Sequence, residues 1–473
     1  MKLAVIGAGP SAFYTASRVL SRLPEAASGI PPLRVHMYDR LWAPHGLVRY
    51  GVAPDHPEVK NCTNKFDESA LDRRFRFFGN VNVGTAISEP FAHTLQLPLS
   101  TIAANYTHVL FATGCALPNL HSALPPSPYS IPALSFVHWY TQHPSRPDPP
   151  PLHRLRHVTI IGNGNVALDV ARMLLTPVSE LAKYDVPQDV LDVLATSAVE
   201  HVSIVARRGP LEAAFTTKEL RELTNLTDAY MVPVPQELLA VPEDVKLTRQ
   251  QTRMLDLLKK GSKNKPGTVP KSWSLEFYRS PVGITPSPAD TNLATLSLAH
   301  TAVDPGTKRS VETGETSSVA TSLVIPSLGS IGEPTAPYYD PALQHLRTNA
   351  GRIVSSTGHT VKNAYASGWA AMGARGVLAT TMINAFAVAE TIITDVMNKR
   401  EEPEEGVEEA LMNHDADLEQ IPAEVEQGVR SGLVTQYDDW KKADAEEISK
   451  AQSFGKERER FTTWDDARAF LRA

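Results

Sequence analysis

The chain opens on a continuous apolar run, Leu3-Ala4-Val5-Ile6, that stops at a glycine-rich turn. A run this short, apolar at every position, predicts a strand buried on both faces, as in a parallel sheet. A helical pattern follows from Ser11 to Leu23. Pro24 and the Pro31-Pro32 pair then bracket a loop before a second strand, Arg34 to Tyr38. The opening is therefore β-α-β. The same order recurs about 155 residues later, with a strand over 157–161, a glycine turn, a helix over 165–175 and a strand over 201–206.

Between and beyond these units the patterning is less regular. Residues 44–61 are rich in Pro, Gly and His and show no period, so they read as an ordered functional loop. Val109 to Thr113 is another buried-type strand, ending at Gly114. Five prolines over 144–151 read as a linker. Residues 246–265 predict a basic helix, and 274–325 read as short strands separated by turns. A long helix of small and apolar residues is predicted over 378–398, followed by an acidic solvated connection over 401–427.

Composition narrows the class. The 473 residues suffice for two or three domains, and 42% hydrophobic with 21% charged content is ordinary for a globular enzyme. A net charge of −6 implies no general affinity for polyanions. Cys62 and Cys115 are the two cysteines, without metal-type spacing. No zinc site, protein-borne cluster or disulfide framework is expected, and a reducing compartment is. No apolar run is long enough to span a bilayer, and no targeting peptide is visible before the first strand.

The candidate chemistry lies in the two turns. Gly7-Ala8-Gly9-Pro10-Ser11-Ala12 matches G-x-G-x-x-A, which lets backbone amides and a helix N-terminus approach a pyrophosphate. Asp39 ends the next strand, where a carboxylate accepts ribose hydroxyls and repels a 2′-phosphate. The second turn, Gly162-Asn163-Gly164-Asn165-Val166-Ala167, is followed at the next strand end by Arg207-Arg208. Paired guanidiniums suit a 2′-phosphate, favouring NADP over NAD; the alternative is a solvated arginine pair. His56, between two prolines, and Glu219, in a charged helical stretch, are by composition alone a loop histidine and a surface acid.

The segments 46–61 and 207–222, with Gly162–Arg172, Ser367-Gly368-Trp369, Gly376-Val377-Leu378 and the tail Tyr437–Glu447, resemble the NADPH:adrenodoxin (ferredoxin) oxidoreductase family over nearly the whole chain. The resemblance implies an α/β protein of two Rossmann-like domains, with an NADP domain (107–332) inserted into a discontinuous FAD domain (1–106 and 333–473). It implies FAD contacts at Gly7, Gly9, Pro10, Ser11, Asp39, Gly46, Leu47, Val83, Gly114, Trp369 and Gly376 to Leu378. NADPH/NADP+ contacts would fall on Asn163, Gly164, Asn165, Val166, Arg207, Arg208, Glu219 and Gly376. His56, Glu219 and Asp169 match a network near the flavin that either relays protons or orients the cofactors. Asp39 departs from the glutamate of animal members, and Met372-Gly373-Ala374-Arg375 replaces a more usual Lys-Arg-Gly-Pro-Thr.

The implied partner is an acidic [2Fe–2S] ferredoxin of adrenodoxin type. Arg249 and Arg253, four apart on the basic helix, match the family's docking residues. The resemblance also implies a monomer with peripheral membrane contact at most, acting on the mitochondrial inner membrane or, as in bacterial relatives, in the cytoplasm. Two other readings stay open: an electron-feeding subunit like that of glutamate synthase, which usually adds cysteine-rich segments, and a non-catalytic flavin-binding module.

Overall fold

The computed structural model describes the chain except residues 26–28, 30, 87–88, 242–244, 399–406 and 409–411. The acidic connection expected over 401–427 lies partly outside the described residues. The chain forms two units. The first comprises Met1–Leu117, Thr141–Arg146 and Ser330–Ala473; the second comprises Pro118–Tyr140 and Pro147–Gly329.

The first unit is built on a parallel sheet. Its strands lie in the order Thr360–Ala366, His108–Phe111, Lys2–Ile6, Arg34–Asp39, Phe75–Gly79, with a short antiparallel extension beyond Thr360–Ala366. Val5 sits opposite Met37 on one side and Leu110 on the other. All five residues of Lys2–Ile6 are buried, Leu3–Ile6 as an apolar run and Lys2 with its ammonium donating to the Asp417 and Gln420 carbonyls. One sheet face is covered by the helix Pro10–Arg22, which packs on the long helix Leu378–Met397. Phe13, Val19, Val388 and Ile392 fill that layer. Tyr38, Phe78, Tyr106 and Ile353 fill the other face.

The second unit repeats the parallel theme. Its order is Ala229–Met231, Lys271–Phe277, His201–Ala206, His157–Ile161, Leu323–Pro326. Helix Asn165–Leu175 buries Leu168, Val170 and Met173 in its core. A three-stranded antiparallel meander, Arg279–Pro286, Ala294–Val303 and Ser310–Thr321, adds a second layer.

Three expectations change. The boundary at 106/107 falls too early, because His108–Phe111 hydrogen-bonds between Lys2–Ile6 and Thr360–Ala366 in the first sheet. The second boundary falls at 329/330, and Thr141–Arg146 returns to the first unit, so that the chain crosses between the units at 146/147, inside the proline-rich 144–151 stretch expected as a linker. The region 274–325 holds strands of 10 and 12 residues, not short ones. Its Ser- and Thr-rich strand is largely exposed, which hides the alternation that marks a half-buried strand.

Candidate nucleotide sites

In the first unit the strand Lys2–Ile6 turns sharply at Gly7, whose φ is +104°. A Cβ there would lie 2.5 Å from the Ala112 carbonyl oxygen, so only glycine fits. Gly9 precedes the helix in extended conformation, and Pro10 occupies its first turn, where a missing N–H costs nothing. Space is open above Gly9 and Gly114: a Cβ on either would meet nothing within 4 Å. This leaves backbone amides and a helix N-terminus accessible, which fits a pyrophosphate.

Asp39 does more than the sequence indicates. Its Oδ2 accepts from Ala8 N at 2.6 Å and its Oδ1 from Leu41 N at 2.7 Å. Burial pushes its pKa up, against the pull of the Leu41 and Ala8 amides. The carboxylate therefore fixes the glycine turn, and each oxygen keeps a further acceptor site for a ribose hydroxyl. Gly7, Asp39, Val83, Thr113 and Glu333 line one cavity beside it.

The remaining first-unit candidates lie in separate segments, of which Ser11 is part of this turn and Gly46 is in contact with it. Ser11 is buried against Gly368, where a Cβ would come within 2.5 Å of the serine Cβ. Trp369 opens a short helix, Trp369–Met372, and its Nε1 donates to the Arg375 carbonyl at 3.2 Å. Gly376 has φ +80°, and Val377, half exposed, precedes the helix Leu378–Met397. Gly46 packs on the turn itself, since a Cβ on it would stand 3.1 Å from Gly9 Cα; Leu47 then starts the helix Leu47–Tyr50. His56 is buried and precedes the 3-10 helix Pro57–Cys62, so the 44–61 stretch carries two short helical turns.

In the second unit Gly162 has φ +119°, and a Cβ would lie 2.3 Å from the Ser327 carbonyl oxygen. Gly164 is open above. Asn163 Nδ2 is buried with no hydrogen-bond partner among the described residues, a donor suited to an acceptor such as a phosphate oxygen. Asn165 has a structural duty instead: its Oδ1 accepts from Thr216 N at 2.8 Å. Val166 is exposed on the first helical turn.

Arg207 is exposed and Arg208 half-buried at the end of His201–Ala206. Neither guanidinium has a hydrogen bond or ion pair among the described residues. The meander steadies their backbone: the Arg207 carbonyl accepts from Thr301 Oγ1 at 2.9 Å and Ser310 Oγ at 2.8 Å. Two unpartnered cations on a fixed strand end fit a 2′-phosphate.

Asp169 and Glu219 are linked by a residue that sequence reading did not single out. Arg172, 3% exposed, donates from Nη2 to Asp169 at 2.8 Å and from Nη1 to Glu219 at 3.1 Å. The Asp169–Arg172 spacing of three, on an apolar helix, was the available signal. Thr216 caps the helix Thr217–Thr224 that carries Glu219. The basic helix spans Arg249–Lys260, with Met254, Leu255 and Leu258 buried. Arg249 and Arg253 are exposed and unpaired among the described residues.

Two α/β units, one ending its second strand in a carboxylate and the other in paired arginines, define a two-dinucleotide oxidoreductase architecture. Over 489 residues the chain is 34% identical to the mitochondrial NADPH:adrenodoxin oxidoreductase of Mus musculus, covering 100% of this chain and 91% of that protein. The Homo sapiens protein of that name is 34% identical over 97% of this chain and 89% of its own. NADPH-ferredoxin reductase FprA of Mycobacterium tuberculosis is 33% identical over 84% and 85%. The structure of M. tuberculosis FprA in complex with NADPH superposes with a TM-score of 0.83 at 30% identity, covering 100% of this chain and 99% of that one. No protein-family model matches the chain. The chain belongs to the NADPH:adrenodoxin oxidoreductase family.

Proposed function

We propose that the chain is an FAD-dependent oxidoreductase that takes a hydride from NADPH and passes single electrons to a [2Fe–2S] ferredoxin of adrenodoxin type. The observation that carries this reading is the chemical inequality of the two strand ends. Asp39 presents a carboxylate to one dinucleotide, and Arg207 and Arg208 present free cations to the other. FAD belongs to the first site and NADPH to the second. When bound, FAD supplies the step from two-electron to one-electron chemistry.

The protein's own groups bind and orient. The open amides at Gly9 and Gly164 receive pyrophosphates, and Arg207 and Arg208 select the 2′-phosphate. Arg172 fixes the Asp169 and Glu219 carboxylates, which favours a role in holding the nicotinamide over one in moving protons. Arg249 and Arg253 offer a cationic face to an acidic ferredoxin, a contact whose strength depends on salt. The mitochondrial names of the animal relatives favour action in that compartment.

Stopped-flow spectroscopy tests the whole reading. NADPH should bleach a visible flavin band in the purified protein, and a [2Fe–2S] ferredoxin should restore it. A preparation with no bound flavin that also fails to take up added FAD would overturn the reading.

A further inference from the structure

In the first unit, the segment Trp42–Gly51 lies between two layers of the chain. On one side it rests on the first glycine turn. His45 N donates to the Ala8 carbonyl at 2.8 Å, and Gly46 abuts Gly9. On the other side it meets the C-terminal segment 433–461. Thr435 Oγ1 donates to the Trp42 carbonyl at 2.6 Å, and Thr435 exchanges backbone hydrogen bonds with Gly79. Helix Tyr437–Gln452 then crosses the loop. Tyr437 OH lies 3.1 Å from His45 Nε2 and donates to Asp67 at 2.6 Å. The Arg49 guanidinium stacks over Trp440 at 4.7 Å.

The centre of this contact is ionic and dry. Glu447 is fully buried. It accepts two bonds from Arg49, at 3.0 and 2.7 Å, one from Arg458 Nη1 at 2.8 Å and one from Phe461 N at 3.0 Å. Arg460 Nη1 donates to the Arg49 carbonyl at 2.7 Å. A buried carboxylate with four donors is a rigid fixture, because any displacement strands charges in a low-dielectric interior. The loop it fixes is itself conformationally unusual. His45 and Gly46 both have positive φ, +83° and +45°, which for His45 is sparsely populated and must be held by its surroundings.

We infer that Glu447 and Tyr437 are positioning residues for the flavin: acting through Arg49 and His45, they set how Gly46 and Leu47 stand against the first glycine turn. The inference rests on the proposal above that FAD occupies the first unit. It assigns the C-terminal segment a part in tuning the cofactor, in addition to packing. No group in the C-terminal segment needs to touch FAD for this. Tyr437 and Glu447 hold the loop through His45 and Arg49, while Gly46 abuts the turn.

The test compares purified holoprotein carrying Glu447→Gln, Glu447→Asp or Tyr437→Phe with the parent. Glu447→Gln keeps the side-chain shape but removes the counter-charge of Arg49, while Arg458 keeps Asp444 as its ion partner. FAD dissociation constants should rise at least tenfold in Glu447→Gln and severalfold in Tyr437→Phe. The visible flavin band and the midpoint potential should shift, with the KM for NADPH unchanged. Glu447→Asp should recover part of the affinity. A role in packing alone would lower the melting temperature yet leave spectrum, potential and FAD affinity at parental values; that result in folded variants overturns the inference. Should Glu447→Gln fail to fold, Tyr437→Phe decides by the same criteria. Parent protein devoid of flavin and unable to take it up would instead remove the FAD reading, and this inference with it.

Discussion

At the residue scale, the proposed function assigns selectivity between the two nucleotides to a few charges. Arg207 and Arg208 have no partner to release before meeting a 2′-phosphate, so their attraction is available in full. Replacing both by alanine should raise the KM for NADPH by about two to four orders of magnitude, since each arginine supplies at least one charge-assisted hydrogen bond worth about 1.5–3 kcal/mol. The KM for NADH should change less than threefold, and an equal effect on both coenzymes would refute the assignment. The glycines and the opposite charges at the two strand ends were legible in the sequence, because turn sterics and phosphate chemistry impose residue types. The second duty of Asp39 was not. That its oxygens hold Ala8 and Leu41 depends on how the next strand delivers the carboxylate, which no spacing rule encodes. For Arg172 the spacing to Asp169 was a signal, but its second carboxylate, Glu219, lies 47 residues away in sequence and no spacing points to it.

At the scale of elements, the helices and the parallel strands were read more faithfully than the antiparallel meander. The helix predicted over 165–175 is Asn165–Leu175, and that over 378–398 is Leu378–Met397. Their buried stripes recur at helical spacing. The meander was misjudged because Ser310–Thr321 is solvated along most of its length and held by its neighbour's backbone. The helix Arg249–Lys260 shows what an amphipathic element can do with its outer face. Thr248 and Gln251 cap it, its apolar side is buried, and Arg249 and Arg253 project one turn apart. Arg253→Glu reverses one charge there without touching the core. Ferredoxin-dependent turnover should fall at least tenfold at low ionic strength and become less salt-sensitive, with NADPH-to-dye activity retained. Unchanged ferredoxin turnover would mean the partner docks elsewhere.

At the scale of the whole molecule, both units keep histidines neutral in their interiors. Burial drives His36, His45 and His108 down to about 3 in the first unit and His201 down to about 4 in the second. An unfolded histidine titrates near 6.5, so below that pH the unfolded chain takes up protons before the folded one does. The stabilisation is therefore complete above about pH 6.5 and is lost as pH falls towards the folded values. His36 and His45, both buried, each contribute on the order of 1–2 kcal/mol of this loss between pH 6.5 and 5. Thermal unfolding should move down by several degrees from pH 7 to pH 5; a flat profile would contradict the burial of these rings. The paired architecture was readable from the repeated β-α-β pattern, but the domain boundaries were not. A strand such as His108–Phe111 looks alike whether it closes one sheet or opens the next, and only its neighbours decide.

Those neighbours have a consequence for biosynthesis. His108–Phe111 pairs on one side with Thr360–Ala366, and residues 118–329 lie between them in the chain. On the ribosome, nearly every residue of the second unit has been made before the strand that completes the first sheet exists. The inserted unit can therefore assemble early, as domains tend to fold as units during synthesis. The first unit must wait, its central strands lacking their last partner until translation is almost over. The segment 433–461 that braces Trp42–Gly51 arrives later still. A nascent chain stalled before residue 360 would carry a complete second unit and a first sheet still lacking the strand Thr360–Ala366.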